Sequence, residues 1–228
     1  MTEYTRYAVY YAPPEGSDLS RFGAGWLGWD AGSGEPAAHP ESPLDVATIT
    51  ATPRKYGFHG TLTSPLRLAE GVSPEIFTDA VDTLAAGIAP FETAPLMLKQ
   101  IGPFLALVPS EPSDALNALH AACVQDLFPF RAPPTEAELA KRRKNGLTET
   151  QDALLLRWGY PYVLEEFRFH LTLSGRLDAE TAEATRAVLA DLTAPFCRDP
   201  FTVRDLALFA ERASDGQFEI IRRFPLNG

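Results

Sequence analysis

Phe58-His59-Gly60-Thr61-Leu62 recurs 111 positions later as Phe169-His170-Leu171-Thr172-Leu173. The likeness extends beyond these five residues. Each copy is followed by a helix-like stretch, Ser73 to Ala89 and Asp178 to Leu192, and then by a Pro-Phe pair opening a strand-like stretch. Pro90-Phe91 comes 31 residues after His59, and Pro200-Phe201 comes 30 after His170. Two five-residue matches can arise by chance; the same element order at near-equal spacing is much harder to obtain that way. A chain carrying one helix-and-strand unit twice is constrained to a duplicated fold with approximate twofold symmetry.

Ordinary local signals support the elements. Ser73 suits an N-cap, with Pro74 in the first turn and Phe77, Ala80, Val81 and Leu84 at helical spacing. Asp178 caps the equivalent helix. Further helices are predicted over Leu19 to Leu27, Ser113 to Leu127 and Thr135 to Lys144. Strands are predicted over Tyr7 to Ala12, Tyr56 to Thr63, Leu96 to Gln100, Phe104 to Val108, Phe167 to Ser174, Val203 to Glu211 and Phe218 to Phe224. Turn residues bound them, including Gly102-Pro103 and Ala213-Ser214-Asp215-Gly216. The expected class is α+β: one bilobal unit over 1–228, with two antiparallel sheets flanking a central cleft and helices outside. The first-motif lobe is expected over 51–127, an insertion or lid over 128–159, and the second-motif lobe over 160–228. Residues 1–50 add a strand and a long loop.

Alternation on a strand puts His59 and Thr61 on one face, and Phe58, Gly60 and Leu62 on the other. The second copy divides the same way. An apolar face suits a core; an imidazole beside a hydroxyl suits a cleft. Twofold symmetry would bring the two polar faces together. Imidazole titrates near neutrality, so one ring can act as base while the other acts as acid on a phosphoester. Which ring plays which part is open at the level of sequence. Thr61 and Thr172 can hydrogen-bond the non-bridging phosphate oxygens, where charge develops in the transition state. This chemistry calls for no metal and no cofactor.

Composition narrows the partners. A formal net charge of −10 disfavours a groove that tracks long nucleic acid, and favours a small phosphorylated substrate. Two cysteines without a CxxC pair argue against a disulfide framework or a Cys-based zinc site. The apolar runs are too short to cross a bilayer, and the first residues lack the pattern of a signal peptide, so a cytoplasmic location is expected.

The paired His-x-Thr-Leu motifs resemble the 2H phosphoesterase superfamily. Within it, Arg6 to Pro13, Trp26-Leu27-Gly28, Lys55 to His59 and Trp158 to Val163 are similar to the DUF1045 family of phosphonate-metabolism proteins. That family is associated with carbon–phosphorus lyase operons. The resemblance implies a phosphodiesterase acting on a phosphorylated ribose cyclic phosphate. This chain departs from the family pattern at Gly60, where Ala is usual, and at Thr63, where Lys is usual; Thr63 is expected on the cleft side. Lys55, Tyr56, Tyr7, Tyr160 and Arg131 are candidate substrate contacts, with core packing or solvated charge as their competing roles. Lys141 to Lys144 is a candidate source of phosphate-binding cations on a lid. Two rival functions stand beside this one: a 2H enzyme acting on RNA ends (2′,3′-cyclic phosphate or 2′,5′ linkages), and a nucleotide- or sugar-phosphate-binding protein without turnover.

Overall fold

A computed structural model describes residues 2–144 and 146–228. Asn145, inside the expected insertion, lies outside the described residues. The chain begins with β1 (Tyr4–Tyr11), α1 (Asp18–Leu27), the short strands β2 (Trp29–Asp30) and β3 (Glu35–Pro36), and two one-turn helices, α2 (Val46–Ile49) and α3 (Ala51–Arg54). The first motif lies on β4 (Gly60–Thr61) and is followed by α4 (Pro74–Ala86), β5 (Phe91–Thr93), β6 (Leu96–Ile101), β7 (Phe104–Pro109) and α5 (Asp114–Asp126). The insertion holds α6 (Glu136–Arg143) and α7 (Glu149–Trp158). The second motif lies on β8 (Leu171–Thr172), followed by α8 (Ala179–Thr193), β9 (Phe201–Val203), β10 (Asp205–Arg212) and β11 (Phe218–Pro225).

Helix starts follow the expected chemistry. The Ser73, Ser113 and Asp178 side chains each accept a backbone N–H of the first turn, and Pro74 sits where its missing N–H costs nothing. Thr135 and Glu138 form a reciprocal capping box on α6. Helix α7, not expected from periodicity, carries the same device in Thr148 and Gln151.

The main sheet has seven strands in the order β11-β10-β1-β4-β8-β7-β6, antiparallel throughout. The two antiparallel sheets expected on either side of a cleft, β11-β10-β1-β4 and β8-β7-β6, are halves of one continuous sheet, joined where Gly60 pairs Leu171. Each half draws on both sequence repeats. The β6–β7 hairpin follows the first motif yet pairs with the second, and the β10–β11 hairpin follows the second motif yet joins the half-sheet of the first. The helices cross in the same way: α4 packs on β10 and β11, and α8 on β6 and β7. The sequence boundaries at 127 and 160 therefore do not divide the sheet. A second antiparallel pair joins β5 to β9, the two Pro-Phe segments, with Phe91 opposite Val203 and Thr93 opposite Phe201. Equivalent strands of the repeats thus pair with each other twice, as an approximate twofold axis requires.

One face of the sheet, with Val9, Leu62, Leu105, Leu107, Leu171, Leu173, Leu206 and Leu208, is fully buried under the helices together with Phe77, Val81 and Leu189. On the other face a smaller cluster (Ala8, Tyr10, Ala207, Phe209 and Phe218) is covered by Trp29 and Ala31. Two indoles hold the N-terminal excursion to the sheet. Trp26 Nε1 donates to the Leu173 carbonyl and Trp29 Nε1 to that of Phe218, each at 2.7 Å. Phe58, ahead of the first motif histidine, packs on α1 at Gly23, where a Cβ would fall 2.1 Å from its ring.

Candidate active site

The ladder that carries the motifs is short. Gly57 has φ +69° and closes a turn after α3, so the strand expected from Tyr56 runs only over Gly60–Thr61. The antiparallel register about Gly60 and Leu171 sets His59 across from Thr172 and Thr61 across from His170, all four on the face opposite the helices. Gly60 is a glycine for a local reason: a Cβ there would lie 2.5 Å from the ring of Phe169.

Both imidazoles are oriented by one device. His59 Nδ1 lies 2.9 Å from the Gly57 carbonyl and His170 Nδ1 lies 2.7 Å from the Arg168 carbonyl, two residues upstream in each case. A carbonyl only accepts, so each Nδ1 carries its proton and each Nε2 is left for chemistry. His59 Nε2 stands 3.1 Å from Thr61 Oγ1.

The symmetry breaks beside the rings. Tyr10 pairs with Thr61 on one side and Ala106 with Thr172 on the other, so these two occupy equivalent places. The Tyr10 ring stacks on His59 with centroids 3.8 Å apart, and Phe209 and Tyr56 stand 5.9 and 6.3 Å away. Among the described residues, His170 has one aromatic neighbour, a tilted Phe104 at 5.6 Å. Burial pushes the His59 pKa down to about 4, with the nearby His170 adding to the effect against the hydrogen bond to Gly57. Burial lowers His170 as well.

The other expected residues divide. Tyr56 stands beside His59. Tyr160 lies under the Arg142 guanidinium, 4.6 Å from its ring centre. Lys55 ends α3 rather than lying on a strand; its ammonium is 2.8 Å from the Glu211 carboxylate and 5.8 Å over the Tyr56 ring. Arg131 donates to the Ser64 hydroxyl and to the Gly159 carbonyl, each at 3.2 Å. Tyr7 is not at the site. It is 6% exposed and packs edge-on to Phe77 in the helix-side core, because odd positions of β1 face the helices. The tyrosine of β1 that reaches the site is Tyr10. Alternation placed it opposite Tyr7, but the sequence did not say which face of β1 looked toward the histidine of β4.

Thr63 also departs from expectation. Leu62 and Thr63 both donate their N–H to the Val9 carbonyl, a bulge that breaks the alternation after Thr61. The Thr63 hydroxyl is turned to the backbone, where it accepts the Val9 N–H at 2.9 Å. Ser174, four residues after His170, does the same for the Leu105 N–H at 2.9 Å. Hydroxyl residues at both equivalent positions were the sequence signal for this pair. His120 sits beneath the site, 2% exposed and stacked face to face on Phe167 at 3.7 Å. Its Nδ1 donates to the Leu62 carbonyl and its Nε2 accepts the Leu164 N–H, so it ties the two motif segments together. Among the described residues no cluster of three His, Cys, Asp or Glu side chains is placed to hold a metal ion, and no helix is long and apolar enough to cross a membrane.

Two imidazoles and two hydroxyls thus lie together on one face of a sheet built from a duplicated unit. Residues 61–219 match the family described as "Protein of unknown function (DUF1045)", and the chain belongs to that family. It is 35% identical over 232 residues to ribose 1,5-bisphosphate phosphokinase PhnN of Janthinobacterium sp. (strain Marseille), covering 98% of this chain and 51% of that protein. The protein of the same name from Laribacter hongkongensis (strain HLHK9) is 36% identical over 219 residues, covering 95% and 51%. The chain thus spans about half the length of these relatives. Among solved structures, E. coli LigT complexed with 3′-AMP overlaps at a TM-score of 0.48 and 17% identity, covering 99% of this chain and 100% of that one. TT0787 of Thermus thermophilus gives a TM-score of 0.48 at 15% identity, with 98% of each chain covered.

Proposed function

We propose that this protein is a phosphodiesterase that opens a cyclic phosphodiester on a small phosphorylated sugar of the ribose type, using His59 and His170 and no metal. One observation carries the reading: the two motif imidazoles are each anchored through Nδ1 to a carbonyl two residues upstream, and each presents Nε2 on the same sheet face. The Tyr10–Ala106 asymmetry supports one division of roles between them. His59, walled by aromatic rings, is held neutral and serves as base; its Nε2 takes a proton from the attacking water. His170, less enclosed, serves as acid and gives its Nε2 proton to the departing sugar oxygen. One P–O bond forms to water, one breaks to the sugar, and the product is a phosphomonoester with a freed hydroxyl. Thr61 and Thr172 lie across from the opposite histidine; Thr172, and Thr61 once its hydroxyl turns from His59 Nε2 to the substrate, can donate to the non-bridging oxygens. The name of the relatives speaks of ribose 1,5-bisphosphate, which supports a phosphorylated ribose as the substrate class. The net charge of −10 weighs against long RNA.

The test is turnover in EDTA with a ribose cyclic phosphate bearing a 5-phosphate, 2′,3′-cyclic nucleotides and a short RNA ending in a 2′,3′-cyclic phosphate. Preference for the small sugar is expected. Preference for the RNA would move the reading to RNA ends, and binding without turnover of any of them would reduce the protein to a binding module.

A further inference from the structure

Bordered by Tyr56, a cavity of about 330 Å³ lies between α6 and the Tyr56–Arg67 segment. Its wall includes six cationic side chains: Arg6, Lys55, Arg67, Arg131, Lys141 and Arg142. In a chain of net charge −10 this is a concentrated reversal of sign. The one carboxylate in the wall, Glu138, is spent on Arg67 and on the Thr135 N–H. Glu211, behind the wall, is shared between Arg6 and Lys55. Among the described residues no carboxylate pairs with Arg131, Lys141 or Arg142.

Arg131 is the most telling of them. Its guanidinium is packed against Gly159, where a Cβ would fall 2.6 Å from Nε, and its acceptors are neutral: Ser64 and the Gly159 carbonyl. Burial, then the like charges of Arg142 and Arg67, lower its pKa to about 10, with the charge of Glu138 acting the other way. A partly buried cation beside other cations is costly unless an anion completes the set. Planar guanidinium forks match a phosphate's oxygens better than single charges do. Tyr56 brings this cavity close to the first motif histidine, since it lines the cavity and its ring stands 6.3 Å from that of His59.

We infer that this cavity is a second anion subsite that holds a phosphomonoester group at the far end of the substrate, with Arg131 and Arg142 as its main contacts. The inference rests on the phosphoesterase reading and deepens it by locating the second phosphoryl group: with the cyclic diester over the histidines, the monoester lies across Tyr56. Cyclic phosphates without the second group then bind weakly, which sets specificity by charge at a distance from the reacting bond.

Calorimetric titration of the full chain with ribose 5-phosphate, and with ribose as control, tests this. Lys141 and Arg142 are exposed on α6, so the K141Q/R142Q protein should fold, which keeps the test interpretable where Arg131→Met would risk the fold. Wild type should bind ribose 5-phosphate but not ribose. K141Q/R142Q should bind it about ten- to a hundredfold more weakly, as expected for losing charge-assisted hydrogen bonds. His59→Ala should still bind it. Binding unchanged by K141Q/R142Q, absent from wild type, or lost in His59→Ala would overturn the subsite. Binding with this pattern in a protein that turned over no cyclic phosphate would leave the subsite standing and remove the phosphoesterase reading instead.

Discussion

At the scale of single residues, the site's asymmetry comes from one substitution between the repeats: a stacking tyrosine at 10 where the other copy has Ala106. It makes the pH profile specific. With His59 as the proposed base, which must be neutral, kcat/KM should climb as pH rises through its value of about 4. The acid must be protonated, so activity should fall as His170 loses its proton, which burial moves below the usual histidine range. The maximum of kcat/KM should therefore lie on the acid side of neutrality, with both limbs belonging to the coupled pair. Replacing Tyr10 by Leu keeps apolar bulk but removes the stacked ring. Its rising limb should move toward higher pH by about one unit, toward the ordinary imidazole value; an unmoved limb would show that the stack does not set His59. The histidines and threonines were legible because alternation and repetition both marked them. Tyr10 was not, because parity within β1 says nothing about which face meets a strand fifty residues away.

At the scale of elements, the helices α1, α4, α5, α6 and α8 were legible in extent, since caps and apolar spacing are local, while α7 and the one-turn helices α2 and α3 were not. The motif strands were overestimated. Gly57 and the bulge at Leu62–Thr63 confine the ladder to two residues, and a bulge is a pairing event that one strand's sequence does not display. Two predictions belong here. Gly23→Ala would gain about 1 kcal/mol on helix propensity alone. Here the new methyl meets the Phe58 ring at 2.1 Å, and overpacking costs about 1–3 kcal/mol, so denaturant unfolding should show net destabilisation. His120→Ala removes two hydrogen bonds and a stacked ring from the join between the motif segments. It should cost roughly 2–4 kcal/mol and lower kcat through misplaced histidines. An equally stable His120→Ala protein would show that the join is not needed.

The whole molecule responds to acid through groups that the fold holds away from their ordinary protonation. His59 and His120 are each lowered to about 4, so between there and the unfolded value of about 6.5 the unfolded chain binds more protons. Stability is then complete above that window and falls as pH drops through it. Burial alone would raise the Glu211 carboxyl, but hydrogen bonds from Arg6, Lys55 and Thr5 outweigh it and hold it at about 2. Its contribution is present above the unfolded value of about 4.5 and is lost below that. Unfolding midpoints in urea should thus decline in two stages, first from about pH 6.5 and again below about 4.5. A flat response down to pH 5 would contradict the buried neutral histidines.

The duplication was legible at this scale, while the exchange of hairpins between the halves was not. Which strand pairs β4 or β8 is decided by non-local packing: Leu105 and Leu107 of the first repeat bury beside Leu171 and Leu173 of the second. The central claim is that two imidazoles act together on one phosphorus. Its most direct test is steady-state turnover of a phosphorylated ribose cyclic phosphate, in EDTA, by wild type, His59→Ala and His170→Ala. Each variant should lose roughly 10²–10⁴ in kcat while remaining folded. Full activity in either variant, or activity in wild type that EDTA abolishes, would contradict the account.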